Sequence, residues 1–309
     1  MKGRNELYRY FSGRISEALY RGRITDNPSV SEIRLCINSP VALRGNAGTK
    51  YLGINGEILS GNSGAVICGK TDIEYSFGEI CDRSVYSFEN EIKEGFITLE
   101  GGHRVGICGL ALVSDGKVQA VNDISSLNFR IARQVRGCSD EAFRKIRDFC
   151  PCGVLAAGAP SSGKTTLLRD LCRNLSERYR ISVVDERNEI AASYRGVAQN
   201  DIGPCCDVFT GYPKEKAIET AIRVMSPDIL VCDEIGNEKD ISVLKNALCT
   251  GVSIIASVHA GSLNELTRRR NIAELIETGM FRFIVFIDSE TRRPFVISCD
   301  ELSGKSICI

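Results

Sequence analysis

Val154-Leu155-Ala156-Ala157-Gly158-Ala159-Pro160-Ser161-Ser162-Gly163-Lys164-Thr165-Thr166 decides how this chain is read. A short apolar run of strand type enters a loop that satisfies G-x-x-x-x-G-K-[ST], and a helical pattern over 164–177 follows. Gly158 and Gly163 permit the tight curvature that turns successive backbone N–H groups inward. The helix N-terminus adds partial positive charge at the same place. Lys164 would neutralise the β- and γ-phosphates, and the Thr165 hydroxyl would hold Mg²⁺. Gly158, Ala159, Pro160, Ser161, Ser162, Gly163, Lys164, Thr165 and Thr166 form the expected phosphate cradle, with ATP and Mg²⁺ as its ligands.

Downstream, Ile229-Leu230-Val231-Cys232-Asp233-Glu234 is an apolar strand ending in two carboxylates. Asp233 there can hold the Mg²⁺ shell through water, and Glu234 can orient or deprotonate an attacking water. Two more strand ends are polar. Val183-Val184-Asp185-Glu186-Arg187 carries acids, and Ile254 to His259 ends in a histidine. Ligands of open parallel sheets sit beyond the carboxyl ends of strands, so all four ends would face one crevice. His259 has two readings, a γ-phosphate contact or a structural histidine. Asp185 and Glu186 likewise serve either the site or a local cap or ion pair with Arg187.

From residue 154 onward, strand candidates at 154–157, 181–185, 229–233, 254–258 and 283–287 alternate with helical candidates at 164–177, 214–225, 238–250 and 262–278. That alternation implies βα units on a mostly parallel sheet. The first part of the chain differs. An amphipathic helix is expected over 5–20 and a strand over 31–38. Short strands and turns should extend to about 70, with a helix over 71–95. Short strands follow at 96–99, 104–108, 110–113, 118–121 and 128–132, and a helix capped by Ser139 over 139–149. Pro151 and Gly153 interrupt the pattern, which places the domain boundary between 1–149 and 150–309.

Composition narrows the classes. Lys plus Arg and Asp plus Glu are 39 each among 309 residues, so the formal net charge is zero. A protein built to hold nucleic acid usually carries a basic excess, which argues against that partner. The 14 Cys form no Cys-x-x-Cys pair and meet only His103 and His259, which disfavours a metal site. They read as small buried hydrophobes in a reducing compartment, Cys68, Cys108, Cys232 and Cys249 among them. No secretory signal and no run of 18 apolar residues is seen.

Three blocks carry a resemblance. Glu100 to Gly106 (EGGHRVG), Val184 to Ile190 (VDERNEI) and Ser226 to Gly236 (SPDILVCDEIG) resemble the stage III sporulation protein AA family of spore-forming bacteria, over roughly residues 32–287. That family is similar to the hexameric ATPases of type II secretion and type IV pili. The resemblance implies an α/β fold, with a C-terminal RecA-like P-loop NTPase domain on a mostly parallel sheet behind a smaller α+β N-terminal domain. It matches Asp185 and Glu186 to an acidic box and His259 to a histidine box. It sets Arg104 and Arg130 where those motors carry arginines reaching a nucleotide at a domain or subunit interface. Ordinary salt bridging is the other reading of both arginines. One departure is Asp233 before Glu234, where many secretion motors have Gly. By the same resemblance the protein would be a homo-hexamer in the mother cell. It would dock on the cytoplasmic face of the membrane and serve membrane components of the channel to the forespore.

Two other functions compete with a ring motor. A nucleic-acid-stimulated ATPase has only Arg268-Arg269-Arg270 in its favour, a run that also suits a solvated helix face. A nucleotide-gated scaffold with little turnover would use the same site residues.

Overall fold

The computed structural model describes residues 7–302, which form two compact units, one up to Arg133 and one from Gln134. The first unit is built on a seven-stranded antiparallel sheet. In chain order its elements are α1 (Gly13–Arg21), β1 (Glu32–Cys36), β2 (Ser39–Pro40), β3 (Ala42–Gly45), β4 (Gly48–Leu52), β5 (Ile58–Leu59), β6 (Ile67–Cys68), α2 (Lys70–Ile80), α3 (Glu89–Glu94), β7 (Phe96–Thr98), β8 (Arg104–Ser114) and β9 (Lys117–Arg130). The sheet order is β5-β4-β3-β1-β9-β8-β7, with β2 and β6 paired separately. One face is apolar. Ile33, Leu35, Leu43, Val105, Leu127 and Phe129 are buried there with Phe11, Ile15 and Leu19 from the N-terminal segment.

Local chemistry breaks several elements that periodicity joined. The expected helix over 5–20 is a 3-10 turn, Leu7–Tyr10, followed by α1; positions 5 and 6 lie outside the described residues. Between them Phe11 packs on Phe129, ring centroids 4.4 Å apart, and the Ser12 hydroxyl donates to Asp72 (2.6 Å). The expected helix over 71–95 divides where Asp82 (φ +50°) and Arg83 (φ +58°) turn left-handed. Conversely, segments read as separate strands merge. Stretches 104–108 and 110–113 are one strand, β8, with an irregular register between Cys108 and Leu110. Stretches 118–121 and most of 128–132 belong to β9. The turn between them has positive φ at Asp115 and Gly116, which suits a two-residue hairpin.

The second unit comprises α4 (Asp140–Ile146), β10 (Val154–Gly158), α5 (Lys164–Leu175), β11 (Ile181–Asp185), β12 (Cys206–Thr210), α6 (Lys214–Thr220), β13 (Ile229–Cys232), α7 (Glu238–Leu248), β14 (Ser253–His259), α8 (Leu263–Arg268), α9 (Arg270–Glu277), β15 (Phe283–Ile287), β16 (Pro294–Ser298) and α10 (Cys299–Leu302). Its sheet order is β12-β11-β13-β14-β10-β15-β16, parallel except for β16. Alternate residues of one strand enter opposite cores. Leu155 and Ala157 pack with α6, α7 and α9, while Val154 and Ala156 pack with α4 and α5. Burial on both faces is why these strands read as unbroken apolar runs.

The division into units falls earlier than the expected boundary at 149/150. Ala142 and Ile146 of α4 are buried with Leu167, Leu168 and Leu171 of α5, so this helix belongs to the second core. Ser139 does not cap α4 through its side chain. Its hydroxyl and its N–H both donate to Asp170 Oδ2 at 2.8 Å. The cysteines also divide: Cys68 and Cys232 are buried, whereas Cys108 and Cys249 are exposed. No helix among the described residues is long and apolar enough to cross a membrane.

Candidate active site

The carboxyl ends of β10, β11, β13 and β14 lie side by side, because Gly158 registers with His259 and the ends of β11 and β13 are level. β10 stops at Gly158, where a Cβ would come 2.6 Å from Ser162 Oγ. The Ile287 carbonyl, 3.0 Å from the same point, adds to the crowding, so a side chain at 158 would have to displace its neighbours. Ser161 (φ +60°) and Gly163 (φ +107°) bend the loop into the start of α5. Ser162 Oγ is buried and has no hydrogen-bond partner, an orphaned polar atom on this loop. Ala159 is half-buried, Pro160 and Ser161 are exposed, and Thr166 is half-buried as the third residue of the helix.

Lys164 is 5% exposed and folds back over this loop. Its Nζ donates to the carbonyls of Gly158 (3.1 Å) and Ala159 (2.8 Å) and lies 2.9 Å from His259 Nδ1. A charged lysine makes that ring nitrogen the acceptor, so His259 carries its proton on Nε2, which faces the Glu234 carboxylate. The other oxygen of Glu234 meets Arg187. Burial pushes the Lys164 pKa below its ordinary value, with Asp233 and Glu234 opposing the shift.

Asp233 is a hub for hydroxyls. Thr165 Oγ1 donates to its Oδ2 (2.7 Å) and Ser257 Oγ donates to its Oδ1. The next residue, Glu234, has φ +54°, a left-handed backbone that costs a non-glycine residue about 1–2 kcal/mol. Its peptide is clamped on both sides: its N–H donates to Ser257 Oγ (2.9 Å), and its carbonyl accepts from Lys214 Nζ (2.8 Å). A cleft of about 300 Å³ opens at the Glu234 carboxylate, lined by Glu186, Arg187, Lys214, Asn237, His259 and Arg269 among others. An ammonium, a hydroxyl and a carboxylate thus converge with a second carboxylate and an imidazole. The Lys164 ammonium suits a phosphate, and the oxygens of Thr165 and Asp233 are hard donors that suit Mg²⁺.

Asp185 borders the cleft as well, but the local backbone takes up its oxygens, in keeping with the capping alternative. It is 1% exposed, and its two oxygens accept the backbone N–H groups of Glu189 (2.7 Å), Ile190 (3.1 Å) and Ala191 (2.8 Å). Burial holds its carboxyl above the ordinary range even against these three donors. Glu186 is exposed and borders the cleft. In the first unit, Arg104 and Arg130 face each other across β8 and β9. Arg104 lies over the Phe96 ring (4.3 Å), and Arg130 pairs with Glu32 (3.3 Å). Of the arginine run 268–270, Arg269 pairs with Glu265 (2.8 Å) and borders the cleft.

Sequence reading missed Arg187, Lys214 and Ser257 as members of this cluster. Only Lys214 had left a signal, a cation in the first turn of a helix, where the macrodipole disfavours it.

The fold resembles a solved pilus motor and a solved ATPase. The pilus retraction motor PilT with bound ADP matches with a TM-score of 0.59 at 14% identity, over 88% of this chain and 76% of that one. The Legionella pneumophila ATPase DotB matches with a TM-score of 0.54 at 16% identity, over 91% and 79%. At such identities the likeness establishes the α/β fold alone. The family follows from sequence: residues 1–305 match the model of sporulation stage III, protein AA, and the chain belongs to that family. Stage III sporulation protein AA of Bacillus subtilis (strain 168) is 35% identical over 258 residues, 82% of this chain and 80% of that protein.

Proposed function

We propose that this chain is a Mg²⁺-dependent, ATP-hydrolysing motor of the secretion type, with a RecA-like P-loop domain. The observation that carries the reading is the run of contacts from Lys164 through His259 to Glu234, with the Thr165–Asp233 pair beside it. In this reading Lys164 leaves the loop carbonyls for the β- and γ-phosphates, and the loop N–H groups cradle them. Thr165 directly, and Asp233 through water, would hold Mg²⁺, which would supply positive charge to offset that of the phosphates. Glu234 takes a proton from the attacking water. His259 links the two ends of the site: when Lys164 turns to phosphate, Nδ1 loses its donor while Nε2 still holds Glu234. Occupancy by phosphate is therefore felt at the base. Glu186 supports water at the rim of the cleft. Arg104 and Arg130 are assigned, by resemblance, to the γ-phosphoryl charge at a domain or subunit interface of a homo-hexamer.

Belonging to the sporulation family directs the motor to the channel between mother cell and forespore, at the cytoplasmic face of the membrane. The test pairs binding with size. With a non-hydrolysable ATP analogue and Mg²⁺, the wild-type protein should bind and assemble, and Lys164→Ala should do neither. Equal binding by the variant, or a strict monomer at every concentration, would contradict the proposal.

A further inference from the structure

Lys214 is an awkward residue to place at the start of α6. It stands in the first turn, where the helix macrodipole repels a cation, and it is 9% exposed, where an ammonium loses most of its hydration. Two oxygens compensate it. Nζ donates to the Glu234 main-chain carbonyl at 2.8 Å and lies 3.5 Å from Asp240 Oδ2. Asp240 is itself fixed, because the same oxygen accepts the N–H groups of Gly236 (3.2 Å) and Asn237 (3.4 Å) at the head of α7. The lysine therefore ties α6 to Asp240 in the first turn of α7 and, beside it, to the main chain of Glu234. Glu234 is the residue held in a left-handed conformation, and its N–H is already anchored on Ser257.

We infer that Lys214 is a positioning residue: its buried ammonium holds the Glu234 carbonyl and so sets the direction in which the Glu234 carboxylate enters the cleft. The inference rests on the proposed role of Glu234 as base. Without the ammonium, the Glu234 peptide is free to relax out of its left-handed backbone. The carboxylate then swings away from its place against His259. Lys164, Thr165 and Asp233 do not depend on Lys214 for any hydrogen bond described above, so phosphate binding should survive.

The test is steady-state ATP hydrolysis, with equilibrium binding of a non-hydrolysable analogue, for wild type, Lys214→Met, Lys214→Arg, Glu234→Gln and the Met/Gln double variant. Methionine keeps the length and apolar stem of the lysine. Lys214→Met should lower kcat about 30-fold, with KM and analogue affinity within about twofold. Lys214→Arg should recover part of the loss, because it restores a buried donor. The double variant should match Glu234→Gln within about twofold, because Lys214 acts only through Glu234. Turnover within about twofold of wild type in Lys214→Met, beside an inactive Glu234→Gln, would overturn the role of Lys214 alone. A parallel loss of binding and kcat, or a further full loss in the double variant, would do the same. Wild-type turnover in Glu234→Gln would overturn the base assignment itself, and this role with it. If Lys214→Met and Lys214→Arg both melt more than about 5 °C below wild type, the lysine serves stability and the inference fails.

Discussion

The ends of β11 and β13 look alike in sequence: Val183-Val184-Asp185-Glu186 and Val231-Cys232-Asp233-Glu234. Each is an apolar strand running into Asp-Glu, and the two ends are level in the sheet. Their fates differ. Asp185 turns inward and gives both oxygens to the N–H groups of the chain that follows it. Arg169 braces that chain from the other side, donating to the carbonyls of Glu189 and Ile190 at 2.8 Å. Asp233 instead gathers the hydroxyls of Thr165 and Ser257, and Glu234 points into an open cleft. A strand end with two acids is thus either closed by its own chain, as at Asp185, or open to a cleft, as at Glu234. What decides is whether the next residues fold back over the carboxylates or lead away from them.

The comparison makes opposite predictions for the two ends. The largest effect belongs to Glu234→Gln: kcat for ATP should fall about 10³-fold, in the range of a lost general base. Its stability should hardly change, because a half-exposed pair with Arg187 contributes little. Asp185→Asn should do the reverse. The amide turns a donor toward the Ala191 N–H, and urea unfolding at neutral pH should show a loss of about 2 kcal/mol. Analogue binding by the folded fraction should persist. A normal stability in Asp185→Asn, or a collapse of stability in Glu234→Gln, would erase the distinction.

Lys164 sharpens it further. Its folded pKa is depressed, so the unfolded chain binds more protons in the window between that value and about 10.5. The cost of keeping it charged is therefore fully present at neutral pH and is relieved as pH rises through that window. Lys164→Met should raise the stability of the ligand-free protein by about 1 kcal/mol at neutral pH while ending nucleotide binding. The gain should shrink toward alkaline pH in denaturation curves. The smallest effect is expected at the rim: Glu186→Gln should lower kcat about threefold and leave melting unchanged.

Much of the second unit was legible because its physics is redundant. Strands buried on both faces read as apolar runs, and the loop from Gly158 to Thr165 announces itself through two glycines and a lysine. The edge strands β12 and β16 were missed, since an edge is only partly buried and its pattern blurs. Helix 262–278 was read whole, but Arg269 leaves helical geometry (ψ +103°) and splits it into α8 and α9. The brace role of Asp185 was not legible either. It depends on left-handed turns at Asn188 and Ala192, residues that carry no obligatory signal for them. In the first unit the apolar pattern marked the sheet. It did not show that β8 and β9 run through as one long hairpin, because Gly109 interrupts the alternation where the register shifts.

The measurement that bears most directly on the central claim is phosphate release from ATP in Mg²⁺ by purified wild-type and Glu234→Gln proteins, with analogue affinity determined on the same samples. The account predicts steady release by the wild type, almost none by the variant, and the same affinity for both. Equal release by the two proteins, or no release by the wild type, would contradict it.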